Sequence, residues 1–197
     1  MQIRNNEIRY GLVAETFHWV IAATIIFQLW LGLYMGTLPR SDPTGFQLVQ
    51  LHKSIGLTIL VLSVGRMLWR LVNRVPPLPA NTGRALWALA RTSHFLLYVL
   101  IIGIPLSGWA LVSASPLGLP IHYFTWFDWP RIWFLANLTR AQKLPIAHTL
   151  AGVHTYLAYS LIALLVIHVS AALMHHFVFR DTVLKRMIPG TNVEETA

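Results

Sequence analysis

Hydrophobic residues in this chain run in four long blocks, and the polar residues collect in the gaps between them. The first block extends from about Thr16 to Met35, and the second from about Gln47 to Leu71. The third extends from about Thr92 to Ser113, and the fourth from about Ala147 to Phe179. A helix needs about 20 apolar residues to cross the hydrocarbon of a bilayer. Each block meets that length. The fourth contains no Asp, Glu, Lys or Arg between Lys143 and Arg180, and is long enough to tilt or to project from the hydrocarbon. Helix breakers fall between the blocks: Leu38-Pro39-Arg40-Ser41-Asp42-Pro43, then Val75-Pro76-Pro77-Leu78-Pro79, then Pro116 and Pro120, with Pro189-Gly190 after the fourth. The pattern predicts an all-α membrane protein, a bundle of four transmembrane helices forming one domain over residues 1–197.

Composition removes the alternatives. The chain is 55% hydrophobic and 11% charged. Soluble domains carry about 25% charged residues, and a disordered chain needs far less apolar content. The net charge of +8 would suit a nucleic-acid binder. Here, however, the cations sit at the ends of apolar blocks, so no nucleic-acid partner is expected and the bilayer is. Cysteine is absent, which excludes disulfides, cysteine-ligated iron–sulfur clusters and covalently attached c-type haem.

Cations also set the expected orientation. Arg4, Arg9, Arg66, Arg70, Arg74, Arg84, Arg91, Arg180, Lys185 and Arg186 share one side, and Arg40, Lys53, Arg131, Arg140 and Lys143 the other. Ten against five places both termini in the cytoplasm. The first block is too long for a cleavable signal and reads as an uncleaved anchor. Between the third and fourth blocks, about residues 116–145, lies an aromatic loop with Tyr123, Phe124, Trp126, Phe127, Trp129, Trp133 and Phe134. It is expected to lie along the outer membrane surface.

Of nine histidines, several stand inside the apolar blocks, where ionisable groups are costly. His154 and His168 are fourteen residues apart. At about 100° per residue they share a helix face, about 21 Å apart along the axis. Such a face suits two flat cofactors stacked along the bundle. Depth matching supplies a second ligand to each: His18, near the cytoplasmic side, with His168, and His52, near the outside, with His154. Imidazole is a common axial ligand of haem iron. Zinc would need three or four ligands at one depth.

The same arithmetic applies on the first two helices. Gly32, fourteen residues after His18, reads either as room beside the outer cofactor or as a helix-packing glycine. Arg66, fourteen after His52, reads as a partner for an inner haem propionate or as a snorkelling charge. Lys53 is a weaker candidate for the outer propionates. His94 could ligate the inner haem, contact a propionate or a quinone, or simply pack. His175, seven after His168, continues the same face, and His176 points elsewhere; the two could relay protons, hold a quinone or be solvated. His148 is badly placed for ligation, and His122, in the loop, has no expected role.

These residues resemble the bacterial cytochrome b561 family of four-helix dihaem membrane proteins. The resemblance rests on Phe17-His18-Trp19, and on His52 with Gly56 and Arg66. It extends to Ser93-His94 with Ile104-Pro105-Leu106-Ser107-Gly108, and to His154 and His168 with Ala171-Ala172-Leu173-Met174-His175-His176. The tail Arg180-Asp181-Thr182-Val183-Leu184-Lys185-Arg186-Met187-Ile188-Pro189 matches too, whereas the aromatic loop looks longer than in relatives. The resemblance implies two non-covalent b-type haems, bis-histidine ligated by His18/His168 and His52/His154. It implies a bacterial inner-membrane protein that moves electrons from a periplasmic donor to the quinone pool. Some members look like superoxide:ubiquinone oxidoreductases, while related cytochromes anchor hydrogenases and formate dehydrogenases as haem-bearing subunits. Proton uptake is expected on the cytoplasmic side near His94, His175 or Glu15. A homodimer is left open.

Overall fold

The computed structural model describes residues 2–39, 41–77 and 83–191. Arg40 of the outer charge set, and Leu78 and Pro79 of the second break, lie outside the described residues. The four long helices are α1 (Leu12–Thr37), α2 (Gly45–Val72), α3 (Arg84–Ser113) and, after a short helical turn α4 (Trp133–Ala136), α5 (Arg140–Phe177). The protein is mostly helical, and all four long helices are long and apolar enough to cross a membrane. At most 28% of the apolar window of any of them is buried. That much bare apolar surface suits lipid and not water. The closest packing runs from α1 to α2, from α2 to α3 and from α3 to α5.

Each long helix starts before its apolar block, for local reasons, while α5 ends at Phe177, two residues short of its block. α3 begins at Arg84 because Arg84-Ala-Leu-Trp-Ala-Leu-Ala is made of strong helix formers. Its Arg91 guanidinium lies 4.5 Å from the centre of the Trp87 ring, one turn back. α5 begins at Arg140, seven residues before the expected start. Thr139 and Gln142 form a reciprocal capping box that fixes this start. Pro145 therefore lies inside the helix; it deletes one backbone bond there without ending it.

The aromatic segment departs from the all-α expectation. Ile121–Tyr123 (β1) and Phe127–Trp129 (β2) pair as an antiparallel hairpin, with Tyr123 opposite Phe127. Phe124 opens its turn at φ +51°, a left-handed conformation unusual for an aromatic residue. Its N–H is held there by Ser54 Oγ of α2 at 2.8 Å, and the same hydroxyl donates to the His122 carbonyl at 3.0 Å. The Tyr123 hydroxyl meets Thr58 at 3.0 Å. From α3, Trp109 Nε1 donates to the Pro130 carbonyl at 2.8 Å, and Ser113 Oγ accepts from Ile132 N–H at 2.9 Å. The hairpin is thus pinned to two helices. The aromatics of the segment divide: Phe124, Trp126 and Phe127 of the hairpin and Trp133 and Phe134 of α4 are exposed, while Tyr123 and Trp129 gather inward. His122 has a structural part after all, as its ring is paired with Asp128 across the hairpin.

At the opposite end the two termini meet. Arg9 donates to the buried Glu15 carboxylate at 2.9 Å and to the Thr191 carbonyl at 2.8 Å. Trp19 Nε1 donates to the Met187 carbonyl at 2.7 Å, and Arg186 reaches the Pro77 carbonyl. The tail therefore straps the N-terminal segment to the end of α2.

Candidate functional site: two histidine layers in one bundle

The fourteen-residue repeat holds on all four long helices, and the residues halfway along it form the centre of the core. Ile25 lies between His18 and Gly32, Ile59 between His52 and Arg66, Ile101 between His94 and Gly108, and Leu161 between His154 and His168. Seven residues make nearly two helical turns, so the members of each set share a face. Ile25, Ile59, Ile101 and Leu161, with Ile21, are the buried cluster at the middle of the bundle. On either side of this apolar layer stands a polar one. His18, Arg66, His94 and His168 lie toward the termini; Gly32, His52, Gly108 and His154 lie toward the hairpin.

Each layer brings two imidazoles opposite one another across the bundle, their planes nearly perpendicular. The ring centres of His18 and His168 are 6.3 Å apart, and those of His52 and His154 are 6.2 Å apart. Two imidazoles bound on opposite sides of one metal have centres about 6.3 Å apart, for a metal–nitrogen bond of about 2.0–2.1 Å and about 1.1 Å from nitrogen to ring centre. Both separations match that span. Among the described residues, no cluster of three or more His, Asp or Glu could hold a metal ion. An ion held by protein alone needs more ligands than either pair provides. A haem brings four nitrogens of its own and asks the protein for two more, so the pairs fit haem and not zinc.

The hairpin-side layer opens into a cavity of about 720 Å³, whose walls include Gly32, His52, Lys53, Gly108 and His154. That volume falls within the range of cofactor pockets. A Cβ on Gly32 would stand 3.3 Å from the His52 ring, and one on Gly108 would stand 3.0 Å from the His154 ring. Each histidine of this pair is therefore seated against a glycine of the neighbouring helix. Among the described residues, His52 Nδ1 is buried without a hydrogen-bond partner, and so is Gln28 Oε1; the Gln28 amide nitrogen donates to the His52 carbonyl at 2.7 Å. Lys53 faces the cavity and donates to Gln50 at 3.1 Å.

The layer near the termini is more heavily charged. Arg66 Nη1 stands 3.0 Å from His18 Nδ1, so the guanidinium meets the imidazole itself. Arg66 and Arg70 lie 5.9 and 5.7 Å from the centre of the Tyr98 ring. Burial raises the Tyr10 phenol above its ordinary pKa, against the opposing pull of Arg70 and Arg66; it stays neutral near pH 7. His94 lies 5.5 Å from His168, closer than two imidazoles on opposite sides of one metal, and its Nδ1 donates to the Ala90 carbonyl at 2.6 Å. It flanks the pair. His175, farther along the same face, is tied through Nδ1 to Asp181. His176 Nδ1 is buried without a hydrogen-bond partner.

Gly108 and Ser107 carry parts of this site that the sequence reading gave no role. Gly108 is legible in the sequence, since it lies fourteen residues after His94.

The comparisons agree with this architecture. Residues 9–190 match the family described as prokaryotic cytochrome b561. Cytochrome b561 homolog 2 of Escherichia coli (strain K12) is 37% identical over 189 residues, covering 95% of each chain. A Yersinia pestis protein named "probable superoxide oxidase CybB" is 28% identical, covering 92% of this chain and 96% of its own. Cytochrome b562 of Cereibacter sphaeroides is 25% identical, covering 91% and 94%. With nearly its whole length matched, the chain belongs to the prokaryotic cytochrome b561 family, multi-pass membrane proteins that bind b-type haem and transfer electrons across the bilayer.

Proposed function

We propose that the protein carries electrons from a donor on the hairpin side to ubiquinone on the side of the termini, by way of two b-type haems. His52 and His154 would hold one, and His18 and His168 the other. When bound, a six-coordinate haem of this kind supplies one-electron outer-sphere transfer. The observation that carries the reading is the pair of imidazole separations, 6.2 and 6.3 Å, in two layers divided by buried aliphatic residues. Both termini are assigned to the cytoplasm, which makes the hairpin side periplasmic in a bacterial inner membrane.

Superoxide is the donor proposed. The name of the Yersinia relative supports it, and so does surface charge. Arg131, Arg140 and Lys143 lie on the hairpin side, while Asp128 is hydrogen-bonded to His122. A net positive mouth raises the encounter rate of a small anion. Lys53 and Arg66 would supply the positive charge for propionates of the outer and inner haem. Ubiquinone reduction takes up two protons, and the residues for it lie at the termini. His175 Nδ1 is held by Asp181, which leaves Nε2 to pass a proton, and His94, held through Nδ1 by the Ala90 carbonyl, likewise presents Nε2. Glu15 is occupied by Arg9 and serves the fold first.

The test is purified protein in detergent, given superoxide and a soluble ubiquinone analogue. Quinone-dependent loss of superoxide, falling with added salt, supports the reading. Reducible haem without that activity would instead favour a subunit that takes electrons from a bound dehydrogenase.

A further inference from the structure

We propose that the turn Ile104–Gly108 of α3 is a positioning seat for His154, fixing which ring nitrogen is free to bind metal and how strongly it binds. The inference rests on the reading of His154 as an axial ligand. His154 Nδ1 lies 3.1 Å from the Ile104 carbonyl and 2.9 Å from Ser107 Oγ. A carbonyl can only accept, so Nδ1 carries the proton and Nε2 carries the lone pair. Ser107 spends its own proton on the same Ile104 carbonyl at 2.7 Å, so its oxygen is left to accept from Nδ1. The three groups close a triangle with one consistent assignment of protons. His52 Nδ1, by contrast, is buried without a hydrogen-bond partner, and His18 Nδ1 faces a cation.

Gly108 completes the seat. It lies next to Ser107, and a side chain there would meet the His154 ring at 3.0 Å, inside ordinary contact. Without one, the ring can approach α3 closely enough for Nδ1 to reach a backbone oxygen. Two acceptors on Nδ1–H make Nε2 a stronger donor to metal, which favours the oxidised iron and lowers its potential.

Ser107→Ala is the first test, read by haem stoichiometry and by redox titration of the two haems. The expected result is an unchanged haem content, an upward shift of one midpoint potential and none in the other. Ser107→Thr keeps the hydroxyl and restores the original value. Gly108→Val is expected to lose one haem per chain and leave the absorption of the other intact. His154→Ala serves as the control. If it retains both haems, the ligand reading itself fails. If it loses one haem while Ser107→Ala moves neither potential, or moves both equally, the ligand reading stands and the seat is overturned. Should Gly108→Val not fold, the serine pair decides alone.

Discussion

At the scale of single residues, the structure separates groups that touch the candidate ligands from groups that only share their face. Arg66 was expected to point toward the inner cofactor, and it meets His18 directly. Loss of that cation favours the oxidised form of whatever iron lies beside it, so Arg66→Leu should lower one haem potential in a redox titration and spare the other. His168→Ala should reduce haem content from two per chain to one in the pyridine haemochrome assay. Gly32→Val should also lose one haem, because its side chain would meet the His52 ring. The protein would then keep the haem held by His18 and His168. These contacts were partly legible, because helical arithmetic fixes direction and depth. It cannot show that Arg66 reaches a ring nitrogen or that Ser107 shares a proton with His154, since those depend on rotamers across two helices.

At the scale of elements, the apolar blocks locate the helices well and their ends poorly. The blocks report where lipid is, whereas α3 and α5 continue past it on local propensity and on a capping box. The hairpin was not legible. Its strands are three residues each, and its fold depends on hydrogen bonds from Ser54, Thr58, Trp109 and Ser113 on distant helices. Ser54→Ala should therefore act far beyond its size, since it strips the Phe124 N–H of its acceptor while that residue holds a left-handed turn. The expected loss is about 1–3 kcal/mol, read as a lower unfolding midpoint in a denaturing-detergent titration. At the other end a buried carboxylate holds Arg9, which also reaches the tail at the Thr191 carbonyl. Glu15→Ala leaves Arg9 without its counter-charge and should cost about 3–5 kcal/mol by the same titration.

At the scale of the whole molecule, one heptad-spaced face on each helix makes three layers: polar, aliphatic, polar. The aliphatic layer keeps the two histidine pairs apart, yet within one low-dielectric bundle. The two polar layers differ in character. The hairpin side has two glycine-seated rings and a cavity, while the side of the termini has Arg66, Arg70 and additional histidines. On the proposed reading, positive charge at that end favours the reduced form of the haem there. The overall plan was open to reading because it is periodic, and periodicity survives without knowledge of any contact. The most direct measurement is the reduced-minus-oxidised absorption spectrum of the purified protein, with haem counted against chain. Two low-spin b-type haems per chain is the expected result. One haem, none, or a high-spin iron with an open position would contradict the paired-histidine account.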